Sequence, residues 1–403
     1  MAGRRAVVVG AGIGGLAAAA ALQSVGWHVD VRERAVALEA GGAGISLWPN
    51  ALRALDVLGV GDDVRGRAAL GGGTGVRRPD GRWLGRSDLA DALRARFGDP
   101  LVVLPRADLI ALLADLLPTD ALHTGVAVAA VQPGAGAPAS VTLEDGTMLE
   151  ADLVVAADGV GSQVRSALFP GHPGPAYAGY TTWRFLAPLP NGVAGSREVL
   201  GSETSQAEVL GSETWGTEGQ RLGIVPMAGG LVYCYATADS PAGVRFPDEA
   251  EELRRRFGTW HAPIPALLAG LRHEQVLHHD ALDLVEPLPT LSAGRVALLG
   301  DAAHAMLPEL GQGGCQALED AVVLAACLRD AYAVEPALGR YTGLRVPRTA
   351  AIARRSRRTA RLTQATGPIG MRLRDLVPRL TGLVPPSLAV RGLDRVLDWS
   401  PSA

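Results

Sequence analysis

Three short apolar segments of the chain each end in glycine or aspartate, and they follow one another at intervals of about 150 residues. In a doubly wound α/β fold the parallel strands end at one edge of the sheet, and ligands bind there. One such motif is weak evidence, whereas three in this order predict a single nucleotide site assembled from distant parts of the chain. The segments are residues 6–9 before Gly10, residues 153–157 before Asp158-Gly159, and residues 296–299 before Gly300-Asp301.

The glycines after the first segment have the spacing of a dinucleotide-binding turn. Gly10 allows a tight turn, Gly12 lets a pyrophosphate approach the backbone, and Gly15 permits close packing of helix on strand. The helix that follows offers free N–H groups to the phosphates. Glu33 ends the next apolar run, where it is placed to accept hydrogen bonds from an adenosine ribose.

The two later segments carry polar groups of the predicted site. Asp301 at the carboxyl end of a strand faces the ligand crevice, where it either accepts hydrogen bonds from a polyol or caps a helix. The glycines of residues 311–314 predict a loop that leads into a helix N-terminus, which stabilises negative charge. Arg165, which follows the Asp158-Gly159 turn, is either a ligand contact or a surface cation.

The composition excludes several other classes of protein. All 38 basic residues are arginine, so lysine chemistry such as a Schiff base or a P-loop is impossible. The net charge of −3 gives no general attraction to nucleic acid. Three widely spaced cysteines predict neither a disulfide framework nor a metal site. The lack of a signal-peptide pattern and of a long apolar run predicts a cytoplasmic protein without a membrane span.

Patterns between and after the nucleotide segments predict further structure. Alternating strand signals from about residue 176 to 280 predict a separate antiparallel sheet. Residues 34–48 are expected to be a loop, and His278-His279 a surface feature rather than a metal site. The repeat of residues 199–204 at 209–214 predicts an exposed, mobile segment. The prolines after residue 366 predict that the C-terminal tail is divided into short helical segments. We favour a helix that packs on the body of the protein with its arginines in water; the alternative is contact with a membrane or a partner.

Together these motifs resemble class A flavoprotein monooxygenases, the single-component FAD aromatic hydroxylases typified by para-hydroxybenzoate hydroxylase. The resemblance runs through residues 5–350 in order, and it rests also on residues 44–51, on Arg106 and on residues 311–317 with Glu319-Asp320. It is closest to the short members, such as salicylate and urate hydroxylases and zeaxanthin-epoxidase-like enzymes. It implies bound FAD, reduction by NAD(P)H, reaction with O2, and transfer of one oxygen atom through a C4a-hydroperoxyflavin.

The same resemblance implies a set of cofactor contacts. It links Asp158 and Arg165 to both FAD and NAD(P)H. It puts Asp301 on the ribityl hydroxyls, Arg106 at the phosphate–ribityl region, and Pro308 against the isoalloxazine. The FAD-binding residues that it implies are Gly12, Ile13, Gly14, Gly15, Glu33, Arg34, Arg106, Asp158, Asp301, Gly313 and Gly314.

The predicted fold is α/β, with a Rossmann-like FAD-binding domain of the GR2 type, an inserted and mainly antiparallel substrate domain, and a C-terminal helical region. No second dinucleotide motif is present, so the nicotinamide must bind transiently. We expect a monomer or a homodimer. The expected domains are residues 1–75, 99–175 and 278–350 for FAD, residues 76–98 and 176–277 for substrate, and residues 351–403 for the helical tail.

The substrate is expected between the flavin and the second sheet. Arg221 and Tyr233 fall where urate-hydroxylase-like members have an Arg and a Tyr that steer an anionic or phenolic substrate; the alternative is a structural role between domains. Further candidates are Trp183, Arg184 and Tyr235, with Leu47 and Met306 nearer the flavin.

The favoured function is hydroxylation of an aromatic or heteroaromatic, including polycyclic, small molecule. Epoxidation of an alkene in a terpenoid or polyketide intermediate is the alternative, which an apolar pocket without a cation would favour. A flavin halogenase needs a catalytic lysine, which this chain lacks. A flavin-binding regulator or non-oxygenating reductase would convert O2 to peroxide whatever the ligand.

Overall fold

The computed structural model describes residues 4–38, 43–67, 69–70, 74–134, 136–190 and 211–401. A six-stranded sheet brings the three sequence segments together, because their strands are neighbours and run parallel. Residues 6–9 and 153–156 are fully or almost fully buried in it. The three Gly/Asp turns therefore meet at one edge of the sheet, as predicted. In sheet order its strands are Ser292–Ala293 (β18), Val296–Leu298 (β19), Leu153–Ala156 (β12), Arg5–Val9 (β1), His28–Glu33 (β2) and Leu122–Thr124 (β8).

A seven-stranded sheet forms the second layer and confirms the predicted antiparallel region. All its pairings are antiparallel except that of β14 with β5. The proposed domain boundaries at 75/76 and 277/278 fall inside β5 and β17, so we propose to assign both strands whole to this sheet. In sheet order its strands are Leu277–Asp283 (β17), Ala176–Pro188 (β13), Leu231–Asp239 (β16), Arg221–Pro226 (β15), Gly211–Trp215 (β14), Thr74–Arg77 (β5) and Trp83–Ser87 (β6).

Two three-stranded sheets complete the β structure. The expectation of a loop over residues 34–48 is wrong at its end, because residues 44–47 pair with residues 102–105 and bury Leu47. The partner strand lies far along the chain, so no local pattern shows the pairing. The strands are Met148–Ala151 (β11), Ala139–Leu143 (β10) and Val128–Gln132 (β9) in one sheet, and Gly44–Leu47 (β3), Val102–Pro105 (β7) and Ala69–Leu70 (β4) in the other.

Helices cover the sheets and form the C-terminal part. The first helix is rich in alanine and buried along most of its length, since it packs between the parallel sheet and the helix that begins at Gly313. The helices are Ile13–Ser24 (α1), Pro49–Val57 (α2), Gly61–Arg67 (α3), Ala90–Phe97 (α4), Arg106–Ala114 (α5), Gln163–Leu168 (α6), Glu249–Phe257 (α7), Ile264–Ala269 (α8), Asp301–His304 (α9), Gly313–Leu328 (α10), Val334–Thr363 (α11), Gly367–Thr381 (α12), Pro386–Ala389 (α13) and Asp394–Leu397 (α14).

Two expectations about the surface are each wrong for part of their segment, and His279 is exposed as expected. The second copy of the six-residue repeat ends in strand β14, where Thr214 is fully buried; residues 199–204 and 209–210 lie outside the described residues. His278 is buried, with Nδ1 2.7 Å from Glu249 Oε1 and Nε2 2.5 Å from Thr181 Oγ1. Its ring stacks on Trp183 at 4.8 Å between centroids. The histidine therefore belongs to the core of the second sheet.

The C-terminal region also differs from expectation. Helix α12 runs through Pro378 as one element of 15 residues instead of breaking into short pieces. It packs on the body, and Arg372 and Arg379 are in water, as favoured. The packed side, however, is formed by Arg374, Asp375 and Pro378, and the leucines face solvent. Helix α11 crosses the proposed boundary at 350/351 without interruption. Among the described residues, the helices are all too short or too polar to cross a bilayer.

Candidate active site

The turn after β1 has the shape that a dinucleotide-binding turn requires. Gly10 has φ +100°, and a Cβ there would lie 2.6 Å from the carbonyl oxygen of Ala157. A Cβ on Gly15 would lie 1.9 Å from the Gly10 carbonyl oxygen, so the helix touches the turn directly. At Gly12, by contrast, a Cβ would meet none of the described residues within 4 Å. The backbone is thus packed tightly behind the turn and open in front of it.

Helix α1 begins in that open space. Gly12 is its N-cap, and no side chain in the described part of the protein caps it, so the first N–H groups of the helix are available to an anion. Glu33 closes one side of the turn, because Oε2 accepts from the Ala11 N–H at 2.7 Å and Oε1 from the Ala35 N–H at 2.9 Å. Each carboxylate oxygen keeps a lone pair for a further donor. Pyrophosphate and ribose hydroxyls fit this arrangement.

The second segment is held by its own side chains. Asp158 accepts from the Ser162 hydroxyl at 2.6 Å and from the Val164 N–H at 3.2 Å. Arg165 is not a surface cation: it is buried and donates to the carbonyl oxygens of Ala302 at 3.0 Å and Val160 at 2.7 Å. Burial lowers the pKa of its guanidinium. Arg165 therefore ties the second Gly/Asp turn to the third.

The third segment places a carboxylate beside a helix N-terminus. Asp301 is exposed at the start of α9, but the N-cap is Gly300, and the Asp301 side chain makes no cap hydrogen bond. A Cβ on Gly313 would lie 3.9 Å from Asp301 Oδ1, so the carboxylate adjoins the first residue of α10. Helix α10 has 16 residues and no side-chain cap at Gln312. Its N-terminus is available to negative charge on a ligand.

Beneath this N-terminus lies a buried ionic cluster of Glu319, Asp320, Arg345, Arg348 and His304. Arg345 donates to Asp320 Oδ1 at 2.5 Å and to Glu319 Oε2 at 2.6 Å, and Arg348 donates to Glu319 at 2.6 and 2.7 Å. His304 Nε2 lies 2.6 Å from Asp320 Oδ2. Burial raises the pKa of Asp320, but His304 and Arg345 outweigh it and bring the pKa to about 2. The cluster is therefore charged and holds α10 to α11.

Sequence reasoning assigned Glu319 and Asp320 to the helix after the loop but missed their partners. Asp320 Oδ2 also accepts from the Gly300 N–H at 2.9 Å, which fixes the turn that carries Asp301. Arg345 and Arg348 are three residues apart, on one side of α11, and this spacing is the only local signal. It resembles that of the other arginines in the same helix, so sequence alone does not single them out.

Residues 308–314, where the flavin is predicted, and the second sheet meet through two connections. Arg221 on β15 donates to Glu309 Oε1 at 3.1 Å, next to Pro308. Tyr233 on β16 packs on β3, since a Cβ on Gly44 would lie 2.5 Å from the tyrosine ring. In turn, a Cβ on Gly314 would lie 2.9 Å from Ile45 Cδ1. The structure thus brings Arg221 and Tyr233 to the same region as the predicted flavin residues. Trp183, by contrast, is buried in the core on the opposite face of the second sheet.

Side chains alternate along the strands of the second sheet, so one face carries Arg184, Arg221, Tyr233 and Tyr235. Arg221 on this face is already paired. Its guanidinium donates to Glu213 and Glu309 at 3.1 Å each and to Thr237 at 3.2 Å. Burial opposes its charge, but the two carboxylates outweigh burial and raise its pKa. Arg221 therefore joins the sheet to the turn at Pro308.

Arg184 and Tyr233 differ from Arg221, because their polar groups make no ion pair or side-chain hydrogen bond with a described residue. Arg184 is half-buried and makes no ion pair with a described residue, and it pairs across the strands with Tyr235. The Tyr233 hydroxyl makes no hydrogen bond to a described residue. Burial raises the pKa of Tyr233, while the nearby Arg184 charge lowers it. Sequence reasoning named Arg184 only as a further candidate, because ion pairing cannot be read from the strand pattern.

We expect Asp301→Ala to weaken FAD retention about tenfold or more, because one hydrogen bond to a charged group contributes about 1.5–3 kcal/mol. The fold should persist, since the carboxylate caps no helix. The ratio of flavin to protein after dialysis measures the effect. Asp330→Ala, which removes another exposed acid, is the matched control. Full flavin occupancy in Asp301→Ala would show that this carboxylate does not hold the cofactor.

A parallel sheet with three ligand-facing turns, joined to an antiparallel sheet, defines a dinucleotide-dependent oxidoreductase. The family model described as FAD binding domain matches residues 4–356. Aurachin C monooxygenase/isomerase of Stigmatella aurantiaca is 39% identical over 347 residues, 86% of each chain. The 3-amino-4-hydroxybenzoate 2-monooxygenase of Streptomyces cremeus is 37% identical over 366 residues, 88% of this chain and 86% of that one. Klebsiella pneumoniae HpxO, solved with FAD and uric acid, aligns with a TM-score of 0.86 at 29% identity, covering 99% and 97% of the two chains.

The chain therefore belongs to the FAD binding domain family, and its relatives place it among the class A flavin monooxygenases. It is an FAD-dependent monooxygenase, and NAD(P)H is the reductant typical of its class. The described residues fit FAD: the front of Gly12 is open, Glu33 has lone pairs to spare, and Asp301 lies unused beside Gly313.

Proposed function

We propose that this monooxygenase hydroxylates an aromatic or heteroaromatic small molecule that carries an anionic group. The observation that carries this proposal is the cationic and aromatic sheet face connected to the flavin turn. Tyr233 and Tyr235, with ring centroids 6.0 Å apart, offer aromatic surface to a planar substrate. Arg184 supplies a cation without an ion pair among the described residues. The relatives named for aminohydroxybenzoate and the HpxO complex with uric acid support a planar polar substrate.

Bound FAD would supply reduction by NAD(P)H and activation of O2, and the chain supplies position and environment. Gly12–Gly15 and α1 hold the pyrophosphate, with Glu33 and Arg34 at the ribose and Arg106 and Asp158 near the phosphates. Asp301 holds the ribityl hydroxyls, and Pro308 with Gly313 and Gly314 orients the ring. The N-terminus of α10 stabilises negative charge on the ring. Since NAD(P)H is a cytoplasmic reductant, we place the enzyme in the cytoplasm.

On the substrate side, apolar neighbours of Tyr233 exclude water from the reacting region. Ala43, Val103 and Met227 are buried against it. A dry site strengthens the hydrogen bond that the Tyr233 hydroxyl can make to substrate and the attraction of Arg184 for an anion. A pocket without a cation would have favoured alkene epoxidation; Arg184, which has no ion pair among the described residues, favours hydroxylation of an anionic substrate.

The test is NADPH and NADH consumption by the purified FAD-loaded enzyme in air, across phenols, aromatic acids, purines and polyenes. Peroxide and product mass are followed in the same samples. Stimulation by an aromatic acid, with one oxygen gained by the product and little peroxide, supports the proposal. Stimulation by polyenes alone would replace it with epoxidation. Consumption that ends as peroxide with every compound would contradict it.

We expect Arg184→Met to raise KM about tenfold for an aromatic carboxylate and to leave KM unchanged for its neutral amide, because only the anion loses an ionic contact. Stability should change little, since Arg184 has no ion pair in the described part of the chain. The ratio of the two KM values isolates the charge effect from any change in pocket shape. An equal rise for both compounds would assign Arg184 a packing role instead.

A further inference from the structure

Helix α12 presents an apolar stripe to solvent. Ile369, Leu373 and Leu380 are 74%, 59% and 61% exposed, and Leu376 is 43% exposed. Their spacing of four, three and four residues places all four on one side of the helix. Soluble proteins seldom expose contiguous apolar patches without a function for them.

The opposite side of the helix fixes this orientation. Arg374 donates to the Gly216 carbonyl oxygen at 3.0 Å and lies over the Trp215 ring at 5.2 Å. Asp375 accepts from Arg78 at 2.7 Å. Turning the helix to bury its leucines would break these buried polar contacts. The exposure therefore follows from how the helix is docked on the second sheet.

The apolar surface continues beyond the end of the helix. Leu383, Val384 and Leu388 are also exposed. We call the whole set the apolar ridge; its members are Ile369, Leu373, Leu376, Leu380, Leu383, Val384 and Leu388. Because the apolar ridge extends beyond the end of α12, packing against a single partner helix would not cover it. A broad and deformable apolar surface would cover all of it.

The exposed charges within residues 366–393 have one sign. Arg372 and Arg379 are exposed and make no ion pair with a described residue. Asp375 is the only acid between residues 366 and 393, and it is buried. A partner of this surface must therefore accept apolar side chains and positive charge together.

We infer that the apolar ridge binds the surface of an anionic lipid bilayer, with α12 lying in the plane of the interface. The leucines enter the acyl boundary, and Arg372 and Arg379 reach the lipid phosphates. A second copy fits less well, because a two-fold axis that sets the helices antiparallel opposes the same arginines across the contact. No acid on the ridge relieves that repulsion.

The test is sedimentation of the FAD-loaded enzyme with vesicles of phosphatidylcholine alone or mixed with phosphatidylglycerol. We expect binding to the mixed vesicles that falls with added salt. Arg372→Gln with Arg379→Gln should weaken it about thirtyfold, at about fivefold for each arginine near an anionic surface. Leu373→Gln with Leu380→Gln should weaken it about a hundredfold, since each buried leucine contributes at least about tenfold. Glutamine keeps the helix propensity of both positions.

Matched controls are Leu344→Gln and Arg358→Gln on α11, which remove an exposed leucine and an exposed arginine away from the ridge. Flavin occupancy and melting temperature of every variant show that the fold is retained. Equal sedimentation of ridge and control variants overturns the inference. So does light scattering that shows a dimer which Leu373→Gln with Leu380→Gln dissociates, without vesicle binding; the ridge is then an interface between copies.

Discussion

Arg345→Met is expected to lower the free energy of unfolding by about 3–5 kcal/mol, the cost of leaving a buried charge without its partner. Arg345 is the shared partner of Glu319 and Asp320, and all three are almost completely buried. Methionine fills much of the volume of the arginine side chain but carries no positive charge and donates no hydrogen bond to the carboxylates. Of their charged partners, Asp320 then retains His304 and Glu319 retains Arg348. Urea denaturation followed by circular dichroism measures the loss.

Arg354→Met is the matched control, because Arg354 is exposed on the same helix. Its effect should stay within about 0.5 kcal/mol, as for most surface substitutions. A similar loss in both variants would mean that methionine disturbs α11 itself, and no loss in Arg345→Met would show that the cluster contributes little. In either case the ionic cluster would not explain how α10 is held.

The same cluster predicts how stability depends on pH. Asp320 has a pKa of about 2 instead of 3.8, so it stabilises the fold above pH 3.8 and loses this contribution as pH falls toward 2. Removing Arg345 raises the pKa of Asp320. Acid unfolding of Arg345→Met should therefore begin at higher pH than that of the unchanged protein. A parallel acid titration of the two proteins checks the sign.

The meeting of the three Gly/Asp turns was predictable because each turn is a local feature of the sequence. Gly10, Gly12 and Gly15 lie within one turn, and Asp301 follows its strand directly. Parallel pairing of strands then brings the three turns together without further information. The alternation of apolar residues likewise predicted the strands of the second sheet that carry Tyr233 and Arg221.

What the sequence did not show depends on partners far along the chain. Arg221 was a candidate for binding an anion, yet Glu309, 88 residues later, already pairs with it. His278 resembled a surface residue until Glu249 and Thr181 provided buried partners. Helix α12 packs on the second sheet through Arg374 and Asp375 instead of through its leucines, because both polar residues find contacts there. Polar residues become buried when distant partners satisfy them, and local patterns do not record such partners.

Alanine substitutions at two glycines of the first turn should distinguish an effect on packing from an effect on cofactor binding. We expect Gly15→Ala to lose both stability and FAD, because its Cβ would lie 1.9 Å from the Gly10 carbonyl oxygen. Relief of that contact requires α1 to move away from β1, and overpacking of this kind costs about 1–3 kcal/mol or more. Melting temperature of the apoprotein and flavin occupancy should fall together.

Gly12→Ala is expected to act on the cofactor alone. Its Cβ meets nothing within 4 Å, and its φ of −72° suits any residue, so the melting temperature of the apoprotein should not change. The new methyl group occupies the space that we assign to the pyrophosphate. Loss of one hydrogen bond to a charged phosphate would weaken FAD binding about tenfold to a hundredfold. Titration of apoprotein with FAD measures it. An unchanged affinity of Gly12→Ala for FAD would show that the pyrophosphate does not bind at this turn. A lowered melting temperature would show that the front of the turn is packed.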